Sequence, residues 1–291
     1  MKSKNIQKII SIISLIGFII CTVLLLYPVA SDYWNRYRDS KLISNYNRIV
    51  EDMDNTETYD ELINTAIEYN QYLKSQNRNI VTDVAYDPDS YYESLLNITD
   101  IMGYVEIPKI NITEPIYHYS HEVSLGKGIG HIHGSSLPVG GINTHCILTG
   151  HRGLPNQKFF SDLDKMNIDD RFYIHILNKI LVYKVYDIKV IEPTDVESLF
   201  IEDNRDLCTL VTCTPYGINT QRLLIMGERV DEDKTIEIDN NGHVTVEKHS
   251  IIIDPAIWVF FGFVIFIVIL FVFNIFLINK KKGGIKNDEK T

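Results

Sequence analysis

Cysteine is scarce in this chain, four residues in 291, and no two of them are spaced C-x-x-C. Structural zinc sites usually gather their thiolates through that spacing, so a zinc-stapled fold is set aside. No internal repeat or low-complexity tract stands out. Net positive charge is confined to the two ends of the chain. Residues 1–8 hold three lysines, and residues 279–291 hold five against Asp288 and Glu289, so each end is +3; the −10 of the whole leaves −16 between them. An acidic middle of that size argues against nucleic acid as a partner.

Charged residues are absent from two long segments. Residues 9–30 are apolar apart from small polar residues such as Ser11, Ser14 and Thr22. Roughly 20 such residues, at about 1.5 Å each, span a hydrocarbon core of about 30 Å. Lys2, Lys4 and Lys8 precede the run, and Tyr27 and Trp34 stand near its far end as interface aromatics do. A cleaved secretory signal peptide competes with this reading, since Pro28-Val29-Ala30-Ser31 offers small residues. The run exceeds the usual h-region of about 7–15 residues, so an uncleaved anchor is expected. Residues 256–278 form the second segment, with Trp258 near its start, Asn274 as its one polar exception and Lys280-Lys281-Lys282 soon after. Apolar on nearly every face, it reads as a membrane helix rather than a core helix. The positive-inside rule then puts both basic tails in the cytoplasm and the middle outside. Cys21 lies in the first span, which leaves Cys146, Cys208 and Cys213 outside. Three is an odd number for a disulfide framework, so at least one free thiol is expected.

After the first span, residues 31–52 read as a helix. Thr58 and Glu61 resemble a capping box, followed by Leu62, Ala66, Tyr69 and Leu73 at helical spacing. These helices are either a stalk or a support packed on the domain. A polar connection with Asp87-Pro88 follows, then a short helix within 90–101. From Gly103 the texture changes to short β-like runs broken by Gly, Pro and Asn. Strands are expected near 103–107, 112–116, 145–149, 172–177, 180–191, 207–212 and 222–230. Asn178-Lys179 is read as a tight hairpin turn and 158–166 as a helical turn. Seven or so strands within about 130 residues suggest a closed or nearly closed β-barrel. Residues 231–250 form an acidic linker back to the membrane, with room for one more strand.

The run Thr209-Leu210-Val211-Thr212-Cys213-Thr214-Pro215-Tyr216-Gly217 ends an apolar strand in a thiol and then breaks. A buried, inert cysteine is the common default. A strand end outside the cell points instead to a thiol that a substrate can reach. A free cysteine titrates near pH 8.5 and needs a cationic neighbour to be a thiolate at neutral pH. His151 follows the β-run ending at Thr149, and Arg222 opens the run after Cys213. If neighbouring barrel strands end at one rim, the three meet. An imidazolium can hold the thiolate and deliver a proton to a leaving amine; a guanidinium can bind an oxyanion or orient substrate carbonyls. The remaining histidines are read more plainly. His131 and His133 have i, i+2 spacing but no third metal ligand is evident. His118 and His121 are expected to be solvated, and His145 and His175 to be structural residues of strands. Asp162, Asp164, Asp169 and Asp170 read as a solvated face rather than a calcium site.

Thr209-Leu210-Val211-Thr212-Cys213 matches the TLxTC signature of sortases, and 128–230 resembles the catalytic barrel of the class C, pilus-assembling sortases. The telling pieces are Ser136-Leu137-Pro138-Val139-Gly140-Gly141, Thr149-Gly150-His151-Arg152-Gly153-Leu154-Pro155, and Cys213 through Thr220 followed by Arg222-Leu223-Leu224. Ile101 through Pro108 resembles the strand that opens that barrel. The resemblance implies a mainly β fold: a closed sortase-type barrel of about eight strands, with N-terminal helices and two flanking transmembrane helices. It divides the chain into a cytoplasmic tail (1–8), a membrane helix (9–30), N-terminal helices with a lid segment (31–100) and a catalytic barrel (101–232). A linker (233–255), a second membrane helix (256–278) and a basic cytoplasmic tail (279–291) complete it.

The same resemblance assigns roles. Cys213 is the nucleophile that attacks the Thr–Gly carbonyl of an LPxTG-like sorting signal, His151 the general acid and base, and Arg222 the oxyanion or substrate-orienting cation. The implied partners are pilin subunits carrying that signal, an acceptor lysine of a pilin and the lipid bilayer; no cofactor or metal is implied. Class C sortases usually carry a lid with an Asp-Pro-aromatic triplet. Here Asp87-Pro88 is followed by Asp89, which leaves Asp87 as the candidate partner of Arg222 and Tyr86 or Tyr91 as the candidate cover, or else an ordinary turn. The parallel neighbouring strands of such a barrel also bring Cys146, five residues before His151, close to Cys208, five before Cys213: a redox-sensitive pair or two small buried thiols. Other readings are a housekeeping sortase acting on peptidoglycan, a cysteine protease in which water takes the acyl group, and a non-enzymatic surface module.

Overall fold

The computed structural model describes residues 2–53, 57–76, 90–154, 157–230 and 262. Leu26–Glu232 forms one compact unit. Outside it, the described residues are the first part of helix α1 (Lys2–Asp52) and Gly262, so the linker and the rest of the second apolar segment lie outside the described residues. From Ile9, α1 is long and apolar enough to cross a bilayer, and its Ile, Val and Leu side chains here are exposed.

Eight strands follow in the order β1 (Gly103–Ile107), β2 (Ile112–His118), β3 (Ile129–His131), β4 (Thr144–Thr149), β5 (Arg171–Ile176), β6 (Lys179–Ile191), β7 (Asp206–Thr214) and β8 (Gln221–Arg229). They close into a barrel in the spatial order β1-β2-β3-β4-β7-β8-β6-β5. Side chains alternate across a strand, and here both faces are used. Cys146 and Leu148 of β4, Cys208 and Leu210 of β7, and Leu223 and Ile225 of β8 fill the barrel interior with Val105, Phe172 and Tyr183. Ile147, Val211, Leu224 and Met226 of the same strands turn outward and join Ile191 and Leu199 in a second apolar cluster. Burial on both faces explains why these strands read as continuous apolar runs rather than alternating ones.

The helices are a support packed on the barrel. Helix α2 (Glu57–Ser75) buries Ile63, Ala66, Tyr69 and Leu73 in the main core, one stripe at helical spacing. On the same side, buried Asn70 accepts from the Leu137 amide at 2.7 Å and donates to its carbonyl at 3.2 Å, so a polar group is buried without loss. In α1, Tyr46 is fully buried; its hydroxyl donates to the Met102 carbonyl (2.9 Å) and accepts from the Leu177 amide (2.7 Å). A short helix α3 (Ser90–Ser94) inserts Tyr92 into the core, and a four-residue turn of helix, α4 (Glu122–Leu125), precedes β3.

Several expectations change. β3 was not expected; β1 falls where it was expected, and each of the other predicted strands grows by one to three residues or shifts by one. The β5–β6 turn is Leu177-Asn178 rather than Asn178-Lys179, because Ile176 pairs with Lys179. Leu177 adopts φ 52°, a left-handed conformation unusual for a branched residue, with its amide held by Tyr46. The helical turn over 158–166 shrinks to a 3-10 turn at Leu163–Lys165. α2 already includes Glu57, so Thr58 lies within the first turn and not at the cap position of a capping box. His118 is not solvated: it is largely buried, donates from Nε2 to the Leu95 carbonyl (2.7 Å), and burial lowers its pKa to about 4. His121 caps α4 by accepting from the Ser124 amide (3.2 Å). His145 and His175 are structural, as expected. His145 donates from Nδ1 to the Phe200 carbonyl and accepts at Nε2 from Thr209, both at 2.8 Å, and His175 pairs with Glu106 at 2.9 Å.

Two stability predictions follow from these contacts. Tyr46→Phe leaves the buried Leu177 amide without its acceptor and should cost about 1–3 kcal/mol, read as a lower Tm of the detergent-solubilised chain. Burial lowers the pKa of His145 to about 4, below its unfolded value near 6.5. Its stability contribution is therefore complete above about pH 6.5 and is lost as pH falls through about 4. Buried Glu114, whose pKa burial raises, acts in the opposite sense, so the comparison is between parent and His145→Gln. The parent should lose more stability than the variant between pH 6.5 and 4, by on the order of 3 kcal/mol. Equal losses would show that His145 does not titrate between folded and unfolded states.

Candidate active site

Strands β4 and β7 run parallel, paired from Thr144↔Asp206 to Thr149↔Val211. Beyond β4 the pairing continues: the Gly150 amide donates to the Val211 carbonyl (3.1 Å), and Thr212 Oγ1 donates to the Gly150 carbonyl (2.7 Å). Extending the register by two residues sets His151 opposite Cys213. On the other side of β7, the antiparallel register pairs Cys213 with Arg222 of β8 directly. His151, Cys213 and Arg222 therefore occupy one rung across three adjacent strands. By alternation, Cys213 shares the outward face of Thr209 and Val211, and Arg222 that of Leu224 and Met226. All three are half-buried at the end of the outer apolar cluster.

The loops that present them are built closely. After His151, whose carbonyl accepts from the Phe160 amide at 3.1 Å, Gly153 turns at φ 81° with its amide on Ser161 Oγ at 3.0 Å. A Cβ on Gly150 would stand 2.6 Å from Ile129 Cδ1 and 2.8 Å from the Phe160 ring, so the strand passes there only without a side chain. Between β7 and β8, the amides of Ile218 and Asn219 both reach the Pro215 carbonyl at 3.0 Å, with Gly217 and Asn219 at positive φ. That tight turn returns the chain opposite Cys213. Arg222 Nη1 donates to the carbonyls of Gln221 (3.2 Å) and Asn219 (3.4 Å), which hold its guanidinium at the loop mouth.

The other candidates separate. Tyr86 and Asp87 lie outside the described residues. Tyr91 is half-exposed on α3, its ring 6.5 Å from that of Tyr69. Cys146 and Cys208 are register partners, both buried and both free. Neighbouring strands lie about 4.8 Å apart, within the Cα range a disulfide spans. His131 engages both ring nitrogens, Nδ1 with the Tyr92 hydroxyl (2.6 Å) and Nε2 with the Ser136 carbonyl (2.9 Å), which leaves no lone pair for a metal. Each aspartate of the acidic group meets a cation: Asp162 with Lys165, Asp164 with Arg152, Asp169 with Lys184 and Asp170 with Lys109. Arg152 was overlooked as a site residue. Its adjacency to His151 was the available signal, but its contacts depend on loops that meet only in the fold.

A closed eight-stranded barrel with a thiol, an imidazole and a guanidinium on one rung is the architecture of a cysteine acyltransferase. Residues 105–230 match the sortase domain model. Among solved structures, sortase C of Streptococcus pneumoniae is 40% identical, with TM-score 0.60, over 66% of this chain and 97% of that one. Sortase C1 of Streptococcus agalactiae is 44% identical, with TM-score 0.61, over 66% of this chain and 100% of that one. Sortase D of Bacillus subtilis is 28% identical over 131 residues, 44% of this chain, and the match spans 63% of that relative's length. The chain belongs to the sortase family of cysteine transpeptidases.

Gly150 gives the site its first test. Gly150→Ala should push Phe160 and the His151 loop apart and lower turnover at least tenfold, with a smaller loss in Tm than a core truncation. Parent-like turnover in that variant would show that the close approach is not needed.

Proposed function

We propose that this chain joins secreted proteins carrying an LPxTG-like sorting signal to a lysine amine of a pilin. The observation that carries the reading is the single rung holding His151, Cys213 and Arg222 at the end of an outward apolar strip. The three side chains are half-buried and not sealed, which leaves them within reach of the bond that follows a short signal. The Cys213 thiolate attacks the carbonyl carbon of the Thr–Gly bond, and the oxyanion forms beside Arg222. The C–N bond then breaks, and the departing glycine amine takes its proton from the His151 imidazolium. This leaves a thioester on Cys213. A lysine amine next gives a proton to His151 and attacks the thioester; the thiolate leaves, and an isopeptide bond remains.

Similarity to the two sortases C over the whole of their solved chains supports a pilus-assembling role. The two apolar segments, 9–30 and 256–278, support an enzyme held at both ends in the membrane. Its tails are then cytoplasmic and its barrel outside, where exported pilins pass. A lid that includes Asp87 and covers the thiol belongs to the same reading.

The test uses the detergent-solubilised full chain, a sorting-signal peptide, and either a pilin lysine or a peptidoglycan amine as acceptor. Cys213→Ala should form no thioester adduct by mass spectrometry. His151→Ala should lose about 10²–10⁴ in kcat, and Arg222→Gln about 10²–10³. Preference for the peptidoglycan amine would make it a housekeeping sortase, and hydrolysis alone would make it a protease. An adduct in Cys213→Ala would remove the nucleophile assignment.

A further inference from the structure

Pairing of β7 with β8 holds Cys213 and Thr214 to the last rungs of the ladder, but β4 ends at Thr149 and His151 begins a loop beyond it. One side chain bridges that loop to the end of β7. Arg152, next to His151, is only 7% exposed, and its Nη1 donates to Thr214 Oγ1 at 3.2 Å, the residue next to Cys213. Its Nη2 pairs with Asp164 on the segment that also holds the His151 carbonyl. Its guanidinium carbon lies 5.7 Å from the centre of the Tyr216 ring. The same ring lies against Gly153, where an added Cβ would meet it at 3.2 Å.

Burying a guanidinium is costly unless its hydrogen bonds and charge are matched, and Arg152 Nε is buried without a hydrogen-bond partner among the described residues. Such a group is out of place in a loop with no task. Here the fork is divided, one arm to the hydroxyl following the nucleophile and one to the carboxylate beside the histidine loop. A lysine, with one ammonium, cannot reproduce that geometry. Tyr216, 61% exposed, closes over the bridge from outside.

We infer that Arg152 is a positioning residue: through Thr214 and Tyr216 it holds the His151 loop against the end of β7 that carries Cys213, at the spacing that proton transfer requires. The inference rests on the reading of His151 and Cys213 as the reacting pair. Displacement of a catalytic group by about 1 Å can cost on the order of 10²-fold in rate. Loss of the bridge should therefore appear in kcat and not in binding of the signal.

The experiment compares Arg152→Gln, Arg152→Lys, Thr214→Val and the double variant Arg152→Gln/Thr214→Val in the full-length chain. Turnover is expressed per Cys213 titrated by thioester formation, so that partly unfolded enzyme does not count. Arg152→Gln should lower kcat roughly 10- to 100-fold, with KM for the signal peptide within about twofold, and Arg152→Lys should not restore it. Thr214→Val, the milder change, should lower kcat by a smaller factor, and the double variant should be no slower than Arg152→Gln alone. A kcat within twofold of the parent in Arg152→Gln, losses that multiply in the double variant, or a loss carried by KM would each overturn the inference. Cys213→Ala separates the two levels. If it is inactive while Arg152→Gln is unimpaired, the positioning role alone falls; if it turns over, the nucleophile assignment falls first.

Discussion

Six successive residue pairs hold β4 parallel to β7, and those strands come from well-separated parts of the chain. Side chains on a strand alternate between faces, so a slip of one residue would carry every outward residue inward. A slip of β4 would take Cys146 out of the core while Cys208 stayed, and His151 would no longer stand opposite Cys213. The register that packs the interior is thus the same register that assembles the site. A sortase cannot lose one and keep the other.

Burial on two faces is what makes that register unforgiving. Inside, Leu148 and Leu210 meet the core that α2 seals; outside, Ile147 and Val211 are buried in the second apolar cluster. The helices contribute through a few polar contacts at places where the chain must turn. Asn70 satisfies both backbone groups of Leu137, and Tyr46 satisfies a turn residue and the approach to β1 with one hydroxyl. These contacts anchor connections whose positions the sheet leaves open.

What could be read from the amino-acid order follows the same division. Long apolar strands that end in Thr149 or Thr212 were visible, and with them the three residues of the rung. β3 was not: Ile129-Gly130-His131 is three residues with a glycine at its centre, and its pairing comes from β2 and β4 rather than from its own propensity. The β5–β6 turn was misplaced by one because its left-handed residue is Leu177, which a hydroxyl from α1 supports. His118 looks like a surface residue until Tyr92 and Leu95 are folded against it. Arg152 lay in plain view beside His151, yet its partners Thr214, Asp164 and Tyr216 come from other loops.

The barrel closes completely, β1 pairing with both β2 and β5. A closed ladder has no free edge on which an incoming peptide can lie as an added strand. Recognition then has little backbone hydrogen bonding to draw upon and falls to pockets that read individual side chains. A barrel so built favours contacts read side chain by side chain over pairing along an extended backbone.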